Sequence, residues 1–73
     1  MTTDRMYVVD GFEYNRKEFI SFLLTLIHEN ELYDLAELSN TTTEEGIERR
    51  VKNRPLHVAY EIFGHDRVVT YLK

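Results

Sequence analysis

Three histidines, His28, His57 and His65, and one carboxylate, Glu61, are the first residues to weigh for chemistry. His57, Glu61 and His65 follow one another at four-residue steps, so an unbroken helix would line them on one face, where two imidazoles and a carboxylate hold a metal or move a proton. Gly64 interrupts that face, and the steps are wider than the tight spacing of a helical zinc motif. Surface histidines are the expectation, with no metal and no cofactor. Ser21 sits inside an apolar run and Ser39 in a polar one, neither within a glycine elbow nor beside a recognisable base. Gly11, Gly46 and Gly64 are too scattered to cradle a phosphate. Cysteine is absent, which removes thiolate catalysis, disulfides and cysteine-type metal sites together. A chain of 73 residues leaves little room for an enclosed pocket of ~300 Å³, so the expectation is a protein that is not an enzyme.

The charges carry a sharper signal, electrostatic rather than covalent. From Glu18 to Glu48 there are eight acidic residues and no Lys or Arg, and Arg49, Arg50, Lys52 and Arg54 follow immediately. Gathered on one face, Glu29, Glu31, Asp34, Glu37, Glu44, Glu45 and Glu48 would steer a basic protein surface into contact, such as the nucleic-acid groove of another protein. The plainer alternative for each glutamate is a solvated surface position. Arg49, Arg50, Lys52 and Arg54 would grip a nucleic-acid backbone, with Tyr60 available for stacking, or else form a solvated helix end that complements its own dipole. The net charge of −4 disfavours nonspecific attraction to phosphate backbones and anionic membranes.

Leu35-Ala36-Glu37-Leu38-Ser39-Asn40, the threonines that follow, Ile47 and Arg49-Arg50 resemble a helix-turn-helix. The resemblance implies a recognition helix whose first residues meet the bases. Here those residues include Glu44 and Glu45, which repel phosphate; Asn40 stands where the turn usually has glycine, and Ile47 comes one position late. In length and charge, though in no motif, the chain is similar to the small acidic proteins of phages and mobile elements, anti-restriction and anti-CRISPR inhibitors among them.

The elements that must position these charges are legible in outline. Arg5 to Val9 and Phe12 to Tyr14 flank Asp10-Gly11, a dipeptide that accepts the positive φ angles of a type I′ turn, so a hairpin is predicted. Asn15-Arg16-Lys17-Glu18 has capping-box spacing, and Tyr14 and Phe19 occupy the positions of a hydrophobic staple, which predicts a helix over 15–30. Two basic residues in its first turn oppose the macrodipole. Phe19, Ile20, Phe22, Leu23, Leu24, Leu26 and Ile27 cover more than one stripe, so this helix is expected at the centre, or with one flank given to a partner or to a second copy in a homodimer. Leu32, Tyr33, Leu35, Ala36 and Leu38 predict a second, short helix. A third is predicted to about Asn53, begun by Thr41 with Glu44 or Thr42 with Glu45, and supported by Glu45–Arg49 and Glu48–Lys52. Its core face is thin, mainly Ile47 and Val51. Pro55 ends that helix or opens another carrying Leu56, Ala59, Tyr60 and Phe63; Gly64 stops it, and Arg67 to Leu72 has strand character suited to pairing with Met6 to Val9.

The expected architecture is a single α+β domain over 1–73, a small antiparallel sheet with the C-terminal strand as third member, packed on about three helices. The longest apolar stretch is far too short for the ~20 residues of a spanning helix, no Arg-led apolar signal opens the chain, and the lack of cysteine suits a reducing, cytoplasmic compartment. The functional expectation is a non-enzymatic protein-interaction module, an inhibitor or regulator acting on a basic protein surface. The alternative is a nucleic-acid-binding regulator built on the Arg49–Arg54 cluster.

Overall fold

A computed structural model describes residues 4–41 and 43–73. The chain runs β1 (Arg5–Val9), β2 (Phe12–Tyr14), α1 (Arg16–Asn30), a 3-10 turn (Ala36–Leu38), α2 (Glu44–Asn53), α3 (Pro55–Phe63), a second 3-10 turn (His65–Arg67) and β3 (Val68–Leu72). It is the α+β arrangement anticipated from the sequence. The strands form one antiparallel sheet in the order β2-β1-β3, with Tyr7 opposite Tyr14 and Thr70, and Val9 opposite Phe12 and Val68.

The hairpin turns as its sequence requires, with Asp10 at φ 52° and Gly11 at φ 89°. Arg67 clamps this turn to the start of β3: its Nε donates to Asp10 Oδ1 at 2.9 Å, a second nitrogen reaches Oδ2, and its guanidinium lies 5.3 Å from the centre of the Phe63 ring. Side chains alternate along the strands, so Tyr7, Val9 and Val68 enter the core.

α1 lies over that inward face. Both halves of its capping box form: the Glu18 N–H donates to Asn15 Oδ1 at 2.8 Å and the Asn15 N–H to Glu18 Oε1 at 3.0 Å. Phe19, Leu23 and Ile27 are fully buried, Phe19 stacks on Tyr7 at 4.4 Å, and Phe22 stacks between Tyr14 and Phe63. The sheet covers one side of α1, and α2 and α3 the other. Most of the broad apolar band of α1 is therefore spent on core packing. Its last turn closes on Glu31, left-handed at φ 52°, ψ 47°, with the Leu32 N–H donating to the Ile27 carbonyl at 2.9 Å.

The expected helix over 32–38 does not form. Only Ala36–Leu38 makes a single 3-10 turn, because Glu61 of α3 accepts the backbone N–H groups of Ala36 and Glu37 at 3.0 and 2.9 Å and fixes them in a bend. The three-residue steps of Leu32, Leu35 and Leu38 still carry all three to the core, with no helix needed. α2 also starts differently from the expected capping boxes. Thr43 is its N-cap, its hydroxyl accepting the Gly46 N–H at 3.0 Å; Thr42 lies outside the described residues. Ile47 and Val51 are its buried residues, and Glu48 pairs with Lys52 at 3.2 Å, while the equally spaced Glu45 and Arg49 form no such pair. Pro55 opens α3 at its first turn, and Gly64, at φ 91°, ends it.

Candidate functional site

The helix packing turns a linear separation of charge into a spatial one. α1 and α2 run antiparallel: His28 near the end of α1 stands 4.0 Å from Glu44 at the start of α2, and Arg16 at the start of α1 donates to the Lys52 carbonyl near the end of α2 at 2.5 Å. The α1 axis between these ends is about 20 Å long. One end of the helical layer therefore gathers Glu29, Glu31, Asp34 and Glu44, all exposed. The other gathers Arg16, Lys17 and Lys52.

The structure divides the seven candidate acids. Among the described residues Glu29, Glu31, Asp34 and Glu45 have no ion-pair partner, and Glu44 has only His28. Glu37 leaves the group: it is half-buried and lies 3.7 Å from Arg54. Glu48 leaves it too, held by Lys52, and Glu45 shares with Glu48, Arg49 and Lys52 a shallow surface of mixed sign. The single negative face anticipated from seven residues is thus an end formed by four, Glu29, Glu31, Asp34 and Glu44, with Glu45 at its margin.

These four are not placed alike by stability. Glu44 sits in the first turn of α2, where the helix dipole favours it. Glu29 in the last turn of α1 and Glu31 at its cap face the negative end of that dipole, and Glu31 in addition holds a left-handed backbone that suits glycine. Acids in such positions cost the fold free energy.

The basic residues regroup as well. Arg54 stands beside Glu37, Lys52 pairs with Glu48, Arg50 is half-buried and Arg49 is exposed, so the four cations of the expected cluster sit in different surroundings. The segment that should supply the first helix of a helix-turn-helix is the 3-10 turn at Ala36–Leu38. His57, Glu61 and His65 do not share a helix face: α3 ends at Phe63, His65 stacks on Tyr60 at 3.9 Å, and Glu61 is engaged with the backbone at Ala36 and Glu37. Among the described residues no group of three or more His, Asp or Glu is arranged to hold a metal ion.

Two features escaped the sequence. Arg16 counts, from sequence, as a charge opposed to the α1 dipole; in space it satisfies a carbonyl at the end of α2, where its charge is favoured. The alternation that sends Tyr7 and Val9 inward sends Met6, Val8, Val69 and Tyr71 outward on the uncovered face of the sheet, with Val69 58% and Tyr71 41% exposed. Period-two patterning over the strands could have shown that face. Tyr71 donates to Glu13 across it, and that bond raises the phenol above its ordinary range. No helix among the described residues is long and apolar enough to cross a membrane. No protein-family model, no curated protein and no solved structure matches the chain.

Proposed function

We propose that the protein is a small, non-enzymatic interaction module whose acidic end, Glu29, Glu31, Asp34 and Glu44, docks on a basic surface of another protein, in the manner of an inhibitor or regulator. The observation that carries this reading is the uncompensated acid at the end of α1, kept against the dipole and, at Glu31, against the backbone. Opposite potentials accelerate encounter and make it salt-sensitive, which suits occlusion of a nucleic-acid-binding groove.

The test is affinity capture from lysate of the native source, divided into nuclease-treated and untreated halves. A protein that survives nuclease and elutes with moderate salt supports the reading. Capture that disappears with nuclease contradicts it and favours direct nucleic-acid contact instead.

A second use of the surface follows from the uncovered sheet face. Met6, Val8, Val69 and Tyr71 are the apolar residues a second copy would cover in a homodimer, in place of the α1 flank considered from sequence. Sedimentation across a concentration series reads this directly, and a single monomeric species at all concentrations rules it out.

A further inference from the structure

Between the start of β1 and the start of α1 lies an open cleft of about 490 Å³, walled by Asp4, Arg5, Tyr7, Asn15, Arg16 and Lys17. Three cations meet one carboxylate there. Two of the cations are held in place by neutral acceptors: Arg5 Nη1 donates to the Thr70 hydroxyl at 2.9 Å, and Arg16 donates to the Tyr7 hydroxyl at 3.5 Å and to the Lys52 carbonyl at 2.5 Å. No carboxylate lies within ion-pair distance of Arg5, Arg16 or Lys17 among the described residues, and Asp4 pairs with none of them. Met1–Thr3 and Thr42 carry no carboxylate that could do so. By contrast Lys52, Arg54 and Arg67 are each neutralised by an acid.

Guanidinium groups fixed in position but left electrically uncompensated are prepared to receive an oxyanion, because little side-chain freedom remains to be lost when it arrives. We propose that this cleft is a binding site for a phosphate group, with Arg5 and Arg16 as hydrogen-bonding forks and Lys17 as a point charge. The site is separate from the acidic end and does not depend on the docking reading. Its ligand is either a small free phosphate or one phosphodiester of a nucleic-acid strand, and the charge of the Asp4 carboxylate works against both.

The experiment is titration of the ¹⁵N-labelled protein at low salt, followed by NMR, with pyrophosphate in one arm and single-stranded oligothymidylate in the other. Saturable shifts centred on Arg5, Arg16 and Lys17 are expected. Saturation by pyrophosphate alone identifies a small phosphate. Tighter binding of the oligonucleotide, with affinity falling as salt rises by a slope of about −0.7 per phosphate neutralised, identifies the strand. Lys17→Gln and Arg5→Gln should each weaken binding about tenfold, and Asp4→Asn should tighten it. Arg16→Gln also removes a helix cap, so Lys17→Gln, whose side chain makes no hydrogen bond or ion pair among the described residues, keeps the test independent of folding. Absence of shifts with both probes, shifts centred instead on Arg49 and Arg50, or affinity unchanged in Lys17→Gln would overturn the proposal.

Discussion

Replacing Glu31 by glycine should make this protein more stable, although it deletes a side chain. Glu31 closes α1 in the left-handed region at φ 52°, ψ 47°. That conformation costs a residue with a Cβ roughly 1–2 kcal/mol, and the greater freedom of glycine in the unfolded chain offsets roughly 0.5–1 kcal/mol of the relief. At the midpoints of these ranges a net gain of about 0.8 kcal/mol remains, or about 3–6 °C in Tm for a domain of this size. The charge must be separated from the backbone, since removing an acid from the negative end of a helix is itself worth roughly 0.3–1 kcal/mol at low salt. Glu31→Gln serves that purpose, because it loses the charge and keeps the Cβ. Thermal and urea unfolding of wild type, Glu31→Gln and Glu31→Gly, each at low and at 1 M salt, then yields two terms. The step from Glu to Gln should shrink with salt, and the step from Gln to Gly should not. Equal stability of the Gln and Gly variants would refute the claim that the backbone is strained here, and with it half of the argument that Glu31 is kept for its surface.

The remaining predictions concern the contacts that join the elements. Arg16→Gln should destabilise by about 1 kcal/mol in urea unfolding, because the Lys52 carbonyl loses a charged donor at an exposed site. Glu61→Ala should cost about 1–2 kcal/mol by the same assay, since it leaves the Ala36 and Glu37 N–H groups without their acceptor. The Arg67 guanidinium, by its hydrogen bond and then its charge, holds the Asp10 carboxyl below its ordinary range. A lowered pKa means stability present above the unfolded value and lost as pH falls, so the clamp should weaken below about pH 4, and Asp10→Asn should flatten the acid limb of a stability–pH curve. Tyr71 is the opposite case: raised by its bond to Glu13, it should contribute below about pH 10 and lose that contribution as pH climbs through its folded value, a loss absent in Tyr71→Phe.

Local signals in the sequence were reliable wherever the chain satisfies itself nearby. Asp10-Gly11, the Asn15–Glu18 box, Pro55 and Gly64 act on backbone within a few residues, and each defines the boundary expected of it. The β-branched run at the C-terminus pairs with β1 as its composition suggested. What failed depended on a distant partner. Leu32 to Leu38 has helical spacing, but Glu61, twenty-four and twenty-five residues away, takes two of its N–H groups and holds a single turn. The candidate acids were identified by type, yet the division of Glu37 and Glu48 from Glu29, Glu31, Asp34 and Glu44 follows from antiparallel packing of α1 on α2, which no window of sequence contains. Arg5, Arg16 and Lys17 were missed as a group for the same reason, since the cleft exists only where β1 and α1 begin side by side.

The central claim is that the acidic end of the helical layer is the docking surface. Its most direct test compares two variants of equal net charge in nuclease-treated capture from native lysate: Glu29→Lys with Asp34→Lys at that end, and Glu48→Lys with Asp66→Lys away from it. Circular dichroism should confirm the same fold in both. The first pair should lose the captured protein while the second retains it near wild-type yield. Equal retention by both, or equal loss, would contradict the claim.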